Sequence, residues 1–366
     1  MKIKVNKSEF IKKIDNVIKA VNSNSILPSL QGILITTNES RIEILGSNGN
    51  LSIKEEIPTS ETTKVITPGR ILVPGRLFRE VISKQDSNIN VEVQDSKMII
   101  ESEGAKTKIN LMDESEYPII SFETIGKKIS IEADKLRQLI KNVSFAAATE
   151  DKRIILNGVN LKVEKNKLTA TATNSFRLAK ETIDIDSDVE FNITIISKNL
   201  KDFLPTNAKG LIIIDVDDSK IMTKFNSTTI SSKIIDGVYP MVDKLIPIEF
   251  ENKLKIDKKE LESVIDRTIV VSDETKKVIK FVITNDKLTS ESKRSEIGVS
   301  NIETNKISYQ GKPEFSIAFN AKFLGEAINK FDGEITINFN SDQKPFVIKG
   351  NSNNKLTQLI LPHRTF

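Results

Sequence analysis

One histidine, His363, serves the whole 366-residue chain, and cysteine and tryptophan are absent. A lone imidazole rules out paired-histidine chemistry and most zinc sites, and the lack of thiols rules out disulfides and thiolate metal centres. Close to the C-terminus, His363 reads as a surface or groove residue rather than a base. Carboxylates are the remaining plentiful chemistry. The pairs Asp217–Asp218 and Glu55–Glu56 have the right ligand type for a divalent cation, but they stand beside turns or on strands with no third ligand converging. They read as solvated surface charge. No G-x-x-x-x-G-K-[ST] loop occurs, and "LGSNGN" carries glycines only at 46 and 49, too few for a dinucleotide fingerprint. "PGR" at 68–70 and 74–76 reads as turn chemistry. No catalytic constellation, metal site or cofactor is expected.

A non-enzymatic chain must owe its function to its surfaces, and the elements behind them are visible as repeats. Pro118, Pro240 and Pro362 recur every 122 residues, one third of the chain. A finer pattern occurs six times, anchored at Val5, Val73, Ile131, Ile195, Ile256 and Phe319. The residues two before and five and nine after each anchor are apolar. The residue eight after is apolar in all but one, where it is Lys13. Apolar residues at alternate positions followed by apolar residues at helical spacing predict a strand end running into a helix. Asn6, Asp257 and Asn320 stand where a side chain caps the following helix. Alternating β-rich runs fill the intervals. The fold class is therefore α+β: three tandem repeats of one domain, each with two helices on antiparallel sheets. The prolines mark the ends of the repeats.

Composition, at 38% hydrophobic and 28% charged, is that of a globular chain, and the net charge is only +4. The charge is unevenly placed. The 30 outward positions of the six predicted helices carry 12 basic and 7 acidic residues, a net of +5, so the rest of the chain sums to −1. Arg76, Arg79, Arg137, Lys141, Lys198 and Lys201 lead this basic set. Helix faces merged into one positive surface would hold nucleic acid through its phosphates, and with aromatics at 5% duplex suits them better than stacked single strands. The N-terminus shows no secretory signal, no apolar run would cross a bilayer, and the lack of cysteine fits a cytoplasmic location.

Six strand–helix halves in three domains, with a chain ending "LILPHRTF", resemble the bacterial DNA sliding clamp family, the beta subunits of DNA polymerase III. The likeness runs through "LPSLQGILI" (27–35), "RIILNGVNL" (153–161), "ATNSFRLAK" (172–180), "YPMVDKLIP" (239–247) and "FNAKFLGEAI" (319–328), in order and at matching spacing. It implies the DNA clamp fold with domains over 1–124, 125–247 and 248–366. It further implies a homodimer whose six domains close a ring that slides on duplex DNA as a polymerase processivity factor. The implied partners are double-stranded DNA without sequence preference, the polymerase III catalytic subunit, the clamp loader and other replication and repair proteins.

The resemblance also implies a peptide-binding pocket lined by Leu156, Thr173, Ser175, Arg177, Leu178, Pro240, Lys244, Leu245, Asn320, Phe323, Phe346, Leu359, Leu361, Pro362 and Arg364. The implied dimer contact involves Lys106, Thr107, Lys108, Val270 and Val271. Ser175–Phe176 stands where family members often have Gly–His, and Thr107 where they often have an aromatic residue. A repeat-built protein scaffold without a DNA role would leave the basic helix faces unexplained. A metal-dependent nuclease would need a carboxylate cluster that the sequence lacks.

Overall fold

The computed structural model describes residues 1–364. All six expected strand–helix units form. The helices are α1 (Lys7–Val17), α2 (Gly75–Ser83), α3 (Ala133–Val143), α4 (Ser197–Lys201), α5 (Lys258–Ile269) and α6 (Ala321–Ile328). Each follows a strand that ends one residue after the anchor, and all six anchors are buried. The expected caps also form. Asn6 accepts from the Ser8 amide at 2.9 Å, Asp257 from Lys259 at 2.9 Å, and Asn320 from Phe323 at 3.2 Å. Each satisfies a donor that the first helical turn would otherwise leave unpaired.

The strands make four sheets, and every pairing among the described residues is antiparallel. The chain forms two compact units, Met1–Lys135 with Asn199–Ile234, and Leu136–Lys198 with Ile235–Phe366. These units do not coincide with the three sequence repeats, because sheets run across repeat boundaries. In the first unit, strand Leu51–Pro58 of the first repeat pairs with Thr228–Lys233 of the second. In the second unit, Arg177–Asp184 of the second repeat pairs with Asn353–Ile360 of the third. Backbone ladders thus tie successive repeats together, and the second repeat is divided between the units.

Each of these junctions buries a glutamate. Glu55 is fully buried, so the expectation of a solvated Glu55–Glu56 pair fails for Glu55. Alternation along the strand explains the difference: Glu56 stays on the opposite face, 3.4 Å from Lys54. Glu55 accepts from Lys13 Nζ at 2.7 Å, Asn16 at 2.8 Å and the Thr228 hydroxyl at 2.8 Å. Lys13 also reaches Ser227. The one residue that breaks the apolar helix pattern is therefore the counterion of a buried carboxylate. Glu181 occupies the matching place in the second unit, held by Asn142 at 2.9 Å and by Asn353. Burial raises its pKa, and the two amide donors partly offset the rise.

One core cluster gathers the helices and strands of the third repeat. Phe281, Phe319, Phe339 and Phe346 stack there in edge-on and tilted contacts 4.8–5.4 Å apart.

Candidate partner-binding site and basic helix faces

In the second unit, Leu178 and Leu359 lie directly opposite each other on the paired junction strands. With Val242 and Val347 they form a small apolar cluster apart from the main core, against which Ile246 and Phe250 pack. Around this cluster, Leu245 is 58% exposed and Leu361 38%, so the patch opens to solvent along its edge. Pro240 and Lys244 stand exposed on the loop that supplies Val242. Leu156, on a single 3-10 turn, is buried.

The turn into this strand holds Ser175. That residue adopts φ +73°, a conformation that favours glycine. Polar contacts hold it there: its amide donates to the Thr173 hydroxyl at 3.1 Å, and Arg153 reaches its hydroxyl at 3.0 Å. Asn174 accepts from the amides of Phe176 and Arg177, both at 3.0 Å. Phe176 is left 62% exposed at the tip, and its carbonyl accepts from the Leu361 amide at 2.9 Å, which binds the C-terminal segment to the turn.

Arg177 is no free rim charge. Its guanidinium pairs with Glu326, donates to the Phe145 carbonyl and lies over the rings of Phe323 and Phe145, 4.7 Å and 5.0 Å from their centroids. Phe323 therefore supports Arg177, and Asn320 is occupied in capping α6 and in donating to the Lys276 carbonyl. Phe346 is fully buried in the third-repeat core and offers no surface. Adjacent strand residues point to opposite faces, and the next residue, Val347, joins the Leu178–Leu359 cluster. Arg364 lines a separate cavity of about 390 Å³ with His363, Lys280 and Asp342. Sequence reasoning missed Val242, Val347, Ile246 and Phe250.

The first unit shows why the sequence builds this patch at one junction and not the other. Its equivalent strand pair sets Ser52 opposite Ser231, where the second unit has Leu178 opposite Leu359. Lys233 stands in the place of Leu361, and the cavity beside Pro118 is only about 290 Å³, lined by five serines and two lysines as well as Pro118, Ile119 and Ile120. At the paired positions the first unit thus sets two serines where the second sets two leucines, which bury more apolar surface.

Among the basic helix residues, Arg76, Arg79, Lys141, Lys198 and Lys201 are exposed and Arg137 is half-buried. Arg79 is engaged with Asp15 of α1 at 2.8 Å. Of the expected interface residues, Lys106 and Lys108 are exposed and Thr107 is half-buried on strand Ala105–Asn110, a free sheet edge. Val270 is 78% exposed at the end of α5, with Val271 half-buried beside it. Among the described residues no three histidine or acidic side chains converge as a metal site, and no helix is long and apolar enough to cross a membrane.

Three repeats of a two-helix domain, joined edge to edge by antiparallel strands, define a clamp-type scaffold. Models of the DNA polymerase III beta subunit match in succession: the N-terminal domain over 1–121, the central domain over 130–241 and the C-terminal domain over 243–364. The beta sliding clamp of Bacillus subtilis (strain 168) is 32% identical over the full length of both chains. That of Mycoplasmopsis pulmonis is 30% identical over 98% of each. A crystal structure of the DNA polymerase sliding clamp from Bacillus subtilis superposes over the whole of both chains with a TM-score of 0.93 at 30% identity. The chain belongs to the DNA polymerase III beta subunit family, the beta sliding clamps.

Proposed function

We propose that the chain is a non-catalytic DNA polymerase processivity factor. Two copies close head to tail into a ring of six domains, encircle duplex DNA, and tether polymerase and other replication proteins. The observation that carries this reading is the end-to-end kinship with beta sliding clamps. Topological linkage, rather than tight binding, would hold such a ring on DNA, and many weak phosphate contacts without base readout let it slide. The clamp domains are taken as 1–124, 125–247 and 248–366, supported by the spans of the three domain models. A role on DNA supports a cytoplasmic location.

Arg76, Arg79, Arg137, Lys141, Lys198 and Lys201 are assigned to the DNA-facing surface. The test loads the protein on closed circular duplex and then linearises the circle. Wild type should remain bound through a high-salt wash and be released on linearisation. Exchanging Arg76, Arg137, Lys198 and Lys201 for glutamate should weaken association at low salt, and each lost phosphate contact should lower the log–log salt slope by about 0.9. Equal low-salt association of wild type and variant would show that these helix faces do not meet DNA.

The Leu178–Leu359 patch is assigned to a partner peptide with leucine or phenylalanine anchors. Deleting residues 362–366, of which the last two lie outside the described residues, removes the segment that follows Leu361 and ties back through the His363 amide to Ala318 at 2.7 Å. Peptide affinity should fall by about 1–3 kcal/mol in a fluorescence titration, with the dimer mass unchanged. A monomeric product would instead place the C-terminus in the dimer seam.

A further inference from the structure

The apolar patch does not end at Leu178. Two residues along the same strand, on the same face, is Lys180, and Thr173, Thr171 and Thr169 of the neighbouring strand share that face. The next strand continues it with Asn160 opposite Thr171 and Lys162 opposite Thr169. Above this polar floor runs the loop Tyr239–Lys244, the same loop that sends Val242 into the apolar cluster. Loop and sheet enclose a groove of about 660 Å³.

Five lysines line this groove, at 162, 165, 167, 180 and 244, against two acids, Glu164 and Asp243. Both acids are already committed, Glu164 to Lys162 and Asp243 to Lys180. Lys165, Lys167 and Lys244 are exposed and make no ion pair among the described residues, so the groove keeps a surplus positive charge. Its floor of threonine and asparagine offers hydrogen bonds, and its apolar surface comes from the loop residues Tyr239, Pro240, Met241 and Val242.

The opposite face of the same sheet is turned to α3, because Glu181, the neighbour of Lys180, is buried against Asn142 of that helix. The groove therefore opens away from the helix that carries Arg137 and Lys141, which argues against duplex DNA as its occupant. Its continuity with the apolar patch, through one loop and one strand, argues for the same occupant as that patch.

We propose that the groove receives an acidic stretch of the partner peptide whose apolar anchors dock on the Leu178–Leu359 patch. The proposal rests on the pocket reading above and adds to it a charge preference. Partners with aspartate or glutamate beside their anchors would be favoured over partners with neutral or basic flanks, most strongly at low salt.

The test uses the full chain and fluorescently labelled synthetic peptides. One carries leucine–phenylalanine anchors with a run of Asp and Glu before them, a second the same run after them, and two controls carry Asn and Gln in those places. One of the acidic peptides should bind about fivefold tighter than its neutral control, a gain in the range expected for a few exposed ion pairs. That gain should vanish at high salt. It should also vanish in the Lys162→Gln/Lys167→Gln double variant, while the neutral peptides bind that variant as they bind wild type.

Equal affinity of acidic and neutral peptides for wild type, or a gain that survives in the variant, would overturn the proposal and leave the pocket reading intact. Failure of all four peptides to bind would overturn both. If short duplex DNA cancels the acidic gain without displacing the neutral peptides, the groove belongs to phosphate and the proposal falls.

Discussion

Replacing Glu55 by alanine is expected to destabilise the first unit by about 3–5 kcal/mol, the range for breaking one side of a buried ion pair. The side chain of Lys13 is only 18% exposed, and its ammonium would lose its counterion with little access to water. Asn16 and Thr228 would each lose an acceptor as well. Because Thr228 belongs to the second repeat, the damage should appear where strand Thr228–Lys233 joins Leu51–Pro58. Hydrogen exchange at those amides and urea unfolding followed by circular dichroism, at fixed protein concentration, would measure it.

A Lys13→Met/Glu55→Leu double variant should recover much of the loss, since removing both charges removes the desolvation cost along with the attraction. If Glu55→Ala unfolds like wild type, the carboxylate does not hold the junction.

Lys13 also shows how far this fold could be read from sequence. The strand–helix pattern rests on burial, so the six anchors and the residues five and nine after them were legible as core. So were the caps at Asn6, Asp257 and Asn320, because each depends on local chain geometry alone. The partner of Lys13 was not legible, because Glu55 lies 42 residues away and its burial depends on a strand from another repeat.

Part of the candidate pocket's lining was not legible for a related reason. Val347 and Phe346 are both apolar, and only the register of their strand decides which one enters the core and which the Leu178–Leu359 cluster. Val242 sits on a loop with no periodicity to mark it. A usable signal did exist: strands that correspond by repeat carry Ser52 and Ser231 in one junction and Leu178 and Leu359 in the other.

The same correspondence leads to the second large effect, at the seam between copies. The turns that close the hairpins at Arg41, Lys167 and Lys287 align the three repeats. Three residues along each strand, the cross-strand partners are Glu55, Glu181 and Ile302. Two of these positions face a strand of the following repeat, but Ile302 lies on Gly298–Thr304, an edge strand of its sheet.

The other unmatched edge is Ala105–Asn110, whose tight turn at Ser102–Ala105 corresponds to that at Phe225–Thr228. If two copies join as successive repeats do, Ala105 of one faces Ile302 of the other, and Thr107 faces Ser300. Along an edge strand alternate N–H groups point outward, so a proline at Thr107 or at Lys108 must remove a seam donor.

At least one of Thr107→Pro and Lys108→Pro should therefore lower the solution mass from about 82 kDa, the closed dimer, to the 41.0 kDa of one chain. Val270→Arg should weaken the same seam by its side chain alone, without touching the backbone. The monomers should lose retention on circular DNA yet still bind an anchor peptide, because the Leu178–Leu359 patch lies wholly within one unit of one chain. A dimer mass kept by all three variants would move the seam elsewhere. At the position that Glu55 and Glu181 hold in the junctions within the chain, the third repeat carries Ile302, so the proposed seam has no carboxylate at that place.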